Sequence, residues 1–285
     1  MSAIKLDGEL LAAEIKEGLI QRISELAHNE VIPGLGTILV GNDGPSENYV
    51  AMKHRDCKDL GMHSREIKLP ASTAQEDILA AIDSMNNDPE IHAFIIQYPF
   101  PEGLDYESAL LHVHPHKDAD GLHPVNLGRL VQGVDAPIAC TPAGIQLLLE
   151  RFEVPITGKH VVIIGRGLTI GRPLANLLSL KKPNANAAVT VIHTGVHNLA
   201  DYTRQADILV AAAGSPGMVT ADMVKSGAAV VAAGVSFDGK KLLSDVSDEV
   251  ETIAGWLSPR IGGVGPMTRA LLMQNTVFAA ELSLF

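Results

Sequence analysis

A tyrosine and a lysine four residues apart, Tyr49 and Lys53, lie in a stretch of helical spacing that follows Ser46. Side chains at that separation project from one face of a helix. A lysine that loses water and gains aromatic or apolar neighbours has its pKa lowered and can carry protons near neutrality. The plainer reading is an exposed lysine lying over a tyrosine, since lysine is seldom buried. Gln97 closes an apolar run just before Tyr98-Pro99-Phe100-Pro101. The carboxyl end of a strand is where α/β proteins place ligand contacts, although a polar edge residue reads the same way. The run His112-Val-His114-Pro-His116-Lys-Asp118-Ala-Asp120-Gly-Leu-His123 offers imidazoles and carboxylates, the usual ligands of zinc or iron. Pro115 and Lys117 interrupt the set, and Asp-x-Asp-Gly is common turn chemistry. It is therefore read as a solvated loop or as a substrate-binding carboxylate at Asp120, and no metal is assigned.

A second centre of chemistry lies in Lys159-His-Val-Val-Ile-Ile-Gly-Arg-Gly-Leu-Thr-Ile-Gly171. Residues 161–164 read as a buried strand, Gly165 and Gly167 as a tight turn, and Gly171 as part of the first turn of a helix. Such a helix turns its unpaired N–H groups and the positive end of its dipole toward the loop, a ready place for a pyrophosphate. The spacing G-x-G-x-x-x-G is one residue longer than the commonest dinucleotide fingerprint. The strand expected at 189–192 ends in His193-Thr194-Gly195 and carries no acid. An acid there holds the ribose hydroxyls of NAD, so its absence, with Arg166 and Arg172 beside the turn, favours NADP. Gly234-x-x-x-x-Gly239-Lys240 imitates a nucleoside-triphosphate loop. Lys241 replaces its Ser or Thr, and 242–244 reads as strand rather than helix, so that reading is rejected. Gly262-Gly-Val-Gly265-Pro-Met-Thr268 reads as a loop that approaches a flat ligand closely or serves as a hinge.

The elements that must position these groups alternate helix and strand. Asp7 caps a helix to about residue 27, with Leu11, Ile15, Leu19, Ile23 and Leu26 on one face. Strands follow at 35–40, 63–69 and 92–97. Between them come a helix capped by Ser46 and ending at Gly61, and another opened by the capping box Thr73-Ala-Gln-Glu76. Thr141-Pro142 reads as a hydroxyl cap with proline at the first helical position. Strands near 161–164, 189–192, 207–212 and 229–233 then alternate with helices near 171–180, 198–205 and 220–226, the doubly wound pattern. Residues 268–282 form a last helix with Leu271, Leu272, Val277 and Ala280 available for packing. The chain reads as α/β with two domains: a layered substrate domain over 1–140, joined by a C-terminal helix (267–285), and a Rossmann-like dinucleotide domain over 141–266. Net charge is −11 over 285 residues, which disfavours nucleic acid. No apolar run approaches a membrane span, and the N-terminus lacks a signal-peptide core. Two cysteines, Cys57 and Cys140, suit a reducing cytoplasm.

Taken together and in order, Ser46-x-x-Tyr49-x-x-x-Lys53, Gln97-x-Pro99-x-Pro101, Lys117-Asp-Ala-Asp120-Gly121, Cys140-Thr-Pro142, Gly165-Arg166 and Gly262-Gly-Val-Gly-Pro-Met-Thr268 resemble the bifunctional methylenetetrahydrofolate dehydrogenase/methenyltetrahydrofolate cyclohydrolase family. The resemblance implies NADP-dependent oxidation of a methylene folate, hydrolysis of the methenyl product, a homodimer, and tetrahydrofolate derivatives bound in a cleft between the domains. By motif match, Tyr49, Lys53, Gln97 and Asp120 become catalytic and folate-side residues, joined by Pro99, Gly262, Gly263 and Pro266. The cofactor side becomes Thr141, Gly165, Arg166, Gly167, Ile170, Gly171, His193, Thr194, Ala213, Gly214 and Val235. The sequence departs from the family pattern at Gly167, at Thr194-Gly195, at Ala232, and at Arg260-Ile261. Alternatives of similar layout are a shikimate-type or amino-acid dehydrogenase, and a non-catalytic NADP-binding module. No ATP site is visible.

Overall fold

The computed structural model describes residues 3–239 and 241–285; Lys240 of the rejected triphosphate loop lies outside them. The chain runs β1 (Ile4–Lys5), α1 (Gly8–His28), β2 (Gly34–Val40), α2 (Gly44–Asp59), β3 (His63–Leu69), α3 (Gln75–Asn86), β4 (Ala93–Ile96), α4 (Tyr106–His112), α5 (Pro124–Gln132) and α6 (Cys140–Arg151). It continues through β5 (His160–Ile164), α7 (Gly171–Ser179), β6 (Ala188–Ile192), α8 (Ala200–Thr203), β7 (Ile208–Ala211), β8 (Ala229–Ala232), β9 (Val235–Asp238), β10 (Lys241–Ser244), β11 (Trp256–Leu257) and α9 (Val264–Leu282).

Two compact units result. One comprises residues 1–12, 130–134 and 139–268; the other comprises 13–129, 135–138 and 269–285. The first carries a six-stranded, all-parallel sheet in the order β1-β11-β8-β7-β5-β6. From β5 the chain goes outward to β6, then crosses to the other side of β5 to lay down β7 and β8. The strand order therefore reverses between β5 and β7, the switch point at which open parallel sheets bind ligands beyond their carboxyl ends. The core strands β5, β7 and β8 are buried almost throughout, as central parallel strands covered on both faces must be. The second unit holds a three-stranded parallel sheet, β3-β2-β4, with β2 central and every one of its residues buried. Its order reverses too, between β2 and β4.

Several expectations need correction. The N-terminal residues assigned to the substrate domain pair instead with β11, Ile4 opposite Trp256 and Lys5 opposite Leu257, at the outer edge of the larger sheet. Asp43, not Ser46, caps α2: its carboxylate accepts the Ser46 N–H at 3.0 Å. Helix α3 opens one residue later than its sequence box, with N-cap Ala74 and with Asp77 accepting from the Ala74 N–H and the Thr73 hydroxyl. Helix α6 begins at Cys140 behind Ala139, so Thr141 lies inside it, and the Thr141 hydroxyl meets that of Thr268 at 2.9 Å. Helix α9 starts at Val264, so Gly265 and Pro266 lie in its first turn rather than in a preceding loop. The helix expected at 198–205 shortens to α8, and that at 220–226 to a single 3-10 turn at Ala221–Met223. As expected, Leu271, Leu272, Val277 and Ala280 are buried, and residues 269–285 of the last helix belong with the three-stranded sheet. Asp7 caps α1 through the Leu10 N–H at 3.1 Å.

Candidate active site

In the three-stranded unit, the switch point between β2 and β4 carries the lysine. Lys53 is only 5% exposed, which removes the reading of a solvated side chain. Its amine donates to Gln97 Oε1 at 2.9 Å and stands 4.6 Å from the centroid of the Tyr49 ring. A cation over an aromatic face is stabilised by up to ~2 kcal/mol once desolvated. The Gln97 amide is fixed from both ends, because its Nε2 donates to the Tyr98 carbonyl at 2.7 Å. Strand β2 holds both partners: the Ile38 carbonyl accepts the Gln97 N–H at 2.8 Å, and the fully buried Thr37 hydroxyl meets His54 Nε2 at 2.9 Å, next to Lys53. Burial holds the His54 imidazole below its usual range; Glu66 opposes that shift and the neighbouring Lys53 ammonium adds to it.

Past Gln97, the rings of Tyr98 and Phe100 each meet Tyr106 edge to face, at centroid distances of 5.1 and 5.2 Å. Burial, then the negative charges of Asp120 and Asp118, push the Tyr106 hydroxyl far above its ordinary range and keep it neutral. This places Asp120 within electrostatic reach of the aromatic group, on a segment tied to the sheet by the Ala119 N–H bonding the Phe94 carbonyl at 3.2 Å. The histidine-rich run is thus an anchored segment and not a free loop. Asp118 is 3% exposed and accepts from the N–H groups of Gly121, Leu122 and His123 and from Asn126 Nδ2. Those four bonds bend the chain into α5 and fix Asp120. Among the described residues no three His, Cys, Asp or Glu side chains gather to hold a metal ion. Pro99 is exposed beside this group. One turn beyond Lys53, Asp56 is held by Lys16 at 2.5 Å and Arg269 at 3.0 Å, while burial pushes the Cys57 thiol up to about 12.

In the six-stranded unit the glycine turn lies at the β5/β7 switch point. Gly165 has φ +126°, and a Cβ there would strike the Ala212 carbonyl at the end of β7. Beyond it, space opens: nothing lies within 4 Å of where a Gly167 Cβ would be. Among the described residues, no backbone N–H from Arg166 to Gly171 donates to a protein acceptor, and the exposed guanidiniums of Arg166 and Arg172 have no partner. Unpaired N–H groups at a helix N-terminus, flanked by two free cations, fit a dinucleotide's phosphates. Ile170 stands at the N-cap of α7, and Gly171 packs against the Gly165 carbonyl. His193 and Thr194 follow β6, the His193 Nδ1 accepting the Gly195 N–H at 3.0 Å.

Other residues assigned to ligands are engaged within the fold. The N–H groups of Ala213 and Gly214 bond Asp245, a residue the sequence did not single out. The Gly262 carbonyl accepts the N–H groups of Gly8 and Glu9, and Gly8 and Gly263 touch backbone to backbone. The close approach expected of those glycines is thus to α1. Pro266 is half-buried and Val235 is exposed on β9. A cavity of about 380 Å³ lies farther along the carboxyl edge, between Lys5, Ala232, Ser258 and Arg260. The dinucleotide reading rests on the open glycine turn, whose shallow shape such a cavity does not represent.

Residues 139–284 match the family model described as tetrahydrofolate dehydrogenase/cyclohydrolase, NAD(P)-binding domain, and residues 6–120 match the catalytic domain of the same family. The bifunctional protein FolD of Syntrophotalea carbinolica is 53% identical over 281 residues, covering 99% of this chain and 97% of that one. The bifunctional FolD methylenetetrahydrofolate dehydrogenase/cyclohydrolase from Campylobacter jejuni superimposes with a TM-score of 0.94 at 37% identity, covering 99% and 100% of the two chains. The Trypanosoma brucei FolD enzyme, solved with NADP cofactor and inhibitor, gives 0.94 at 34%, covering 100% and 99%.

Proposed function

The chain belongs to the tetrahydrofolate dehydrogenase/cyclohydrolase family, and on that premise we propose that it oxidises 5,10-methylenetetrahydrofolate to the 5,10-methenyl compound with NADP and hydrolyses that product to 10-formyltetrahydrofolate. The observation that carries this reading is the buried Lys53 amine, held by Gln97 and the Tyr49 ring at the end of a parallel sheet. NADP, when bound, supplies the hydride acceptor. Its phosphates would be held by the N–H groups of 166–171 and by Arg166 and Arg172.

The oxidation removes a hydride from a carbon between two nitrogens. Those nitrogens share the resulting positive charge, so no proton leaves and the protein's work is alignment. Asp120 accepts hydrogen bonds from the pterin's amino and ring N–H groups, a match for a carboxylate. Tyr49 offers a face for the substrate's ring to stack on. Hydrolysis asks more. Water adds to the cationic carbon and gives up both of its protons as it becomes the formyl oxygen; one carbon–nitrogen bond breaks, the departing nitrogen takes up one proton, and the other leaves to solvent. Lys53 is the group placed to move these protons, and Gln97 orients its amine. A shikimate-type reaction removes a proton together with hydride from a small polar acid, which the Tyr49, Tyr98 and Phe100 rings do not suit.

The test is direct. Methylenetetrahydrofolate with NADP should give the absorbance of the methenyl chromophore, and that absorbance should decay as water is added. No chromophore with either nicotinamide cofactor would end this reading. Cofactor choice is tested at the turn: Arg166→Ala should raise the KM for NADP about tenfold or more, the value of one lost charge-assisted contact, and leave that for NAD nearly unchanged. Equal changes would mean that Arg166 does not meet the extra phosphate.

Two further features complete the proposal. The protein acts as a homodimer: β6 is an outer strand of the six-stranded sheet, with Val191 exposed on it, and an open apolar edge calls for cover. Sedimentation at equilibrium should give the mass of two chains; a single-chain mass would refute this. It works in the cytoplasm, a reading supported by two free thiols, Cys57 and Cys140. No described helix is long and apolar enough to cross a membrane.

A further inference from the structure

Asp245 is a carboxylate with no solvent exposure, and among the described residues no cation forms an ion pair with it. The partners described for it are backbone N–H groups. Oδ2 accepts the N–H groups of Ala213 at 2.7 Å and Gly214 at 2.9 Å, and Oδ1 accepts that of Ser215 at 2.6 Å. Three short bonds of this kind satisfy a buried anion without a counter-ion. They also fix three consecutive residues just past β7, on the far side of the switch point from the glycine turn. Gly234 seals the arrangement from behind. A Cβ at that position would collide with the Asp245 carboxylate, and the Gly234 N–H is tied to the Ala211 carbonyl at 2.7 Å. The Gly214 carbonyl in turn accepts the Ser236 hydroxyl at 3.1 Å, so β9 is coupled to the same loop.

The loop matters because of where it stands. The Ala212 carbonyl is the atom against which Gly165 packs, so the 212–215 segment forms the second wall of the crevice whose first wall is the turn at 165–171. Left free, residues 213–215 would turn their N–H groups toward any nearby anion. Bound to Asp245, they point into the protein, and phosphate recognition is confined to the glycine turn. We propose that Asp245, with Gly234 against it, is a positioning residue for the dinucleotide site: it sets the shape of the 213–215 wall and touches neither cofactor nor substrate. This rests on the dehydrogenase reading given above and deepens it.

The test exploits the two reactions. Hydrolysis of the methenyl compound needs no dinucleotide, so it reports on folding and on the Lys53 site. Asp245→Asn keeps the volume but replaces one acceptor oxygen by an NH2 that faces N–H donors. The KM for NADP should rise about tenfold or more, with kcat at saturating NADP and the rate of methenyl hydrolysis within about twofold of the wild type. Gly234→Ala should produce the same split by displacing the carboxylate. Should Asp245→Asn not fold, Gly234→Ala and a Ser236→Ala variant, which releases the loop from its other side, carry the same measurement with smaller shifts expected. An unchanged KM for NADP in folded variants, or an equal loss of hydrolysis and NADP affinity, would overturn the proposal. Absence of any dehydrogenase activity in the wild type would instead refute the underlying functional reading.

Discussion

Lys53→Ala should abolish hydrolysis of the methenyl compound, lowering its rate by about 10³, while NADP still binds with its wild-type affinity. Removing a positioned proton carrier costs a reaction on the order of 10²–10⁴ in rate. The expected loss lies above the bottom of that range because the same substitution also strands Gln97 Oε1, which accepts from the amine at 2.9 Å. Gln97 keeps its bond to the Tyr98 carbonyl but no longer has an amine to orient. The cofactor crevice stands on the other compact unit, so its N–H groups and arginines are untouched. Lys53→Arg is the sharper version: it keeps a cation over Tyr49 but offers a group that stays protonated, so hydrolysis should remain lost. Stopped-flow absorbance of the methenyl chromophore measures the rate, and thermal protection by NADP measures binding. Hydrolysis within threefold of the wild type in the alanine variant would remove Lys53 from the mechanism.

What the sequence made legible follows from how local each signal is. Tyr49 and Lys53 share a helix face by spacing, and Gln97 ends an apolar run ahead of prolines, so both could be read within a dozen residues. The glycine turn was legible for the same reason: strand, turn and helix start are contiguous. Asp245 was not. It lies in an ordinary Leu-Leu-Ser-Asp-Val run, and its partners are backbone N–H groups about thirty residues earlier, which carry no residue-type mark. The two-residue strand β1 was hidden too, being shorter than any periodicity and paired with residues some 250 positions away. In the 105–132 segment, helix starts use the same residue types as possible ligands. Asp105 caps α4 through the Ser108 N–H at 2.9 Å, and Pro124 opens α5. The resemblance to the family implies what spacing alone leaves open, above all a shared substrate for Lys53 and Asp120. The structure adds the reason the lysine reading prevails over a solvated side chain: a central β2 that fixes His54 beside it and Gln97 in front of it.

Gly165→Ala should have the opposite signature, eliminating NADP binding and the dehydrogenase reaction while hydrolysis continues. Two costs combine at this position. A φ of +126° is a backbone region that residues with a Cβ occupy only with strain, on the order of 1–3 kcal/mol. The added methyl would also meet the Ala212 carbonyl, a backbone atom of the residue that follows β7 and whose N–H bonds the Ile164 carbonyl at 2.8 Å. Relief requires the turn to move away from β7, which displaces the N–H groups of 166–171 from the geometry that receives a phosphate. A shift of about 1 Å suffices to lose hydrogen bonds whose useful range spans only a few tenths of an ångström. The variant should therefore unfold at lower temperature than the wild type, by about 3 kcal/mol in stability, and gain nothing from added NADP. The wild type at a hundredfold excess over its Kd gains ~2.7 kcal/mol. Methenyl hydrolysis measured below the melting transition should stay within about twofold of the wild type, because Lys53, Gln97 and Tyr49 belong to the other unit. Paired with Lys53→Ala, this makes a double dissociation. If Gly165→Ala kept NADP protection at wild-type size, the turn at 165 would not be the dinucleotide's seat. If both variants lost both activities together, the two chemistries could not be assigned to separate groups of residues.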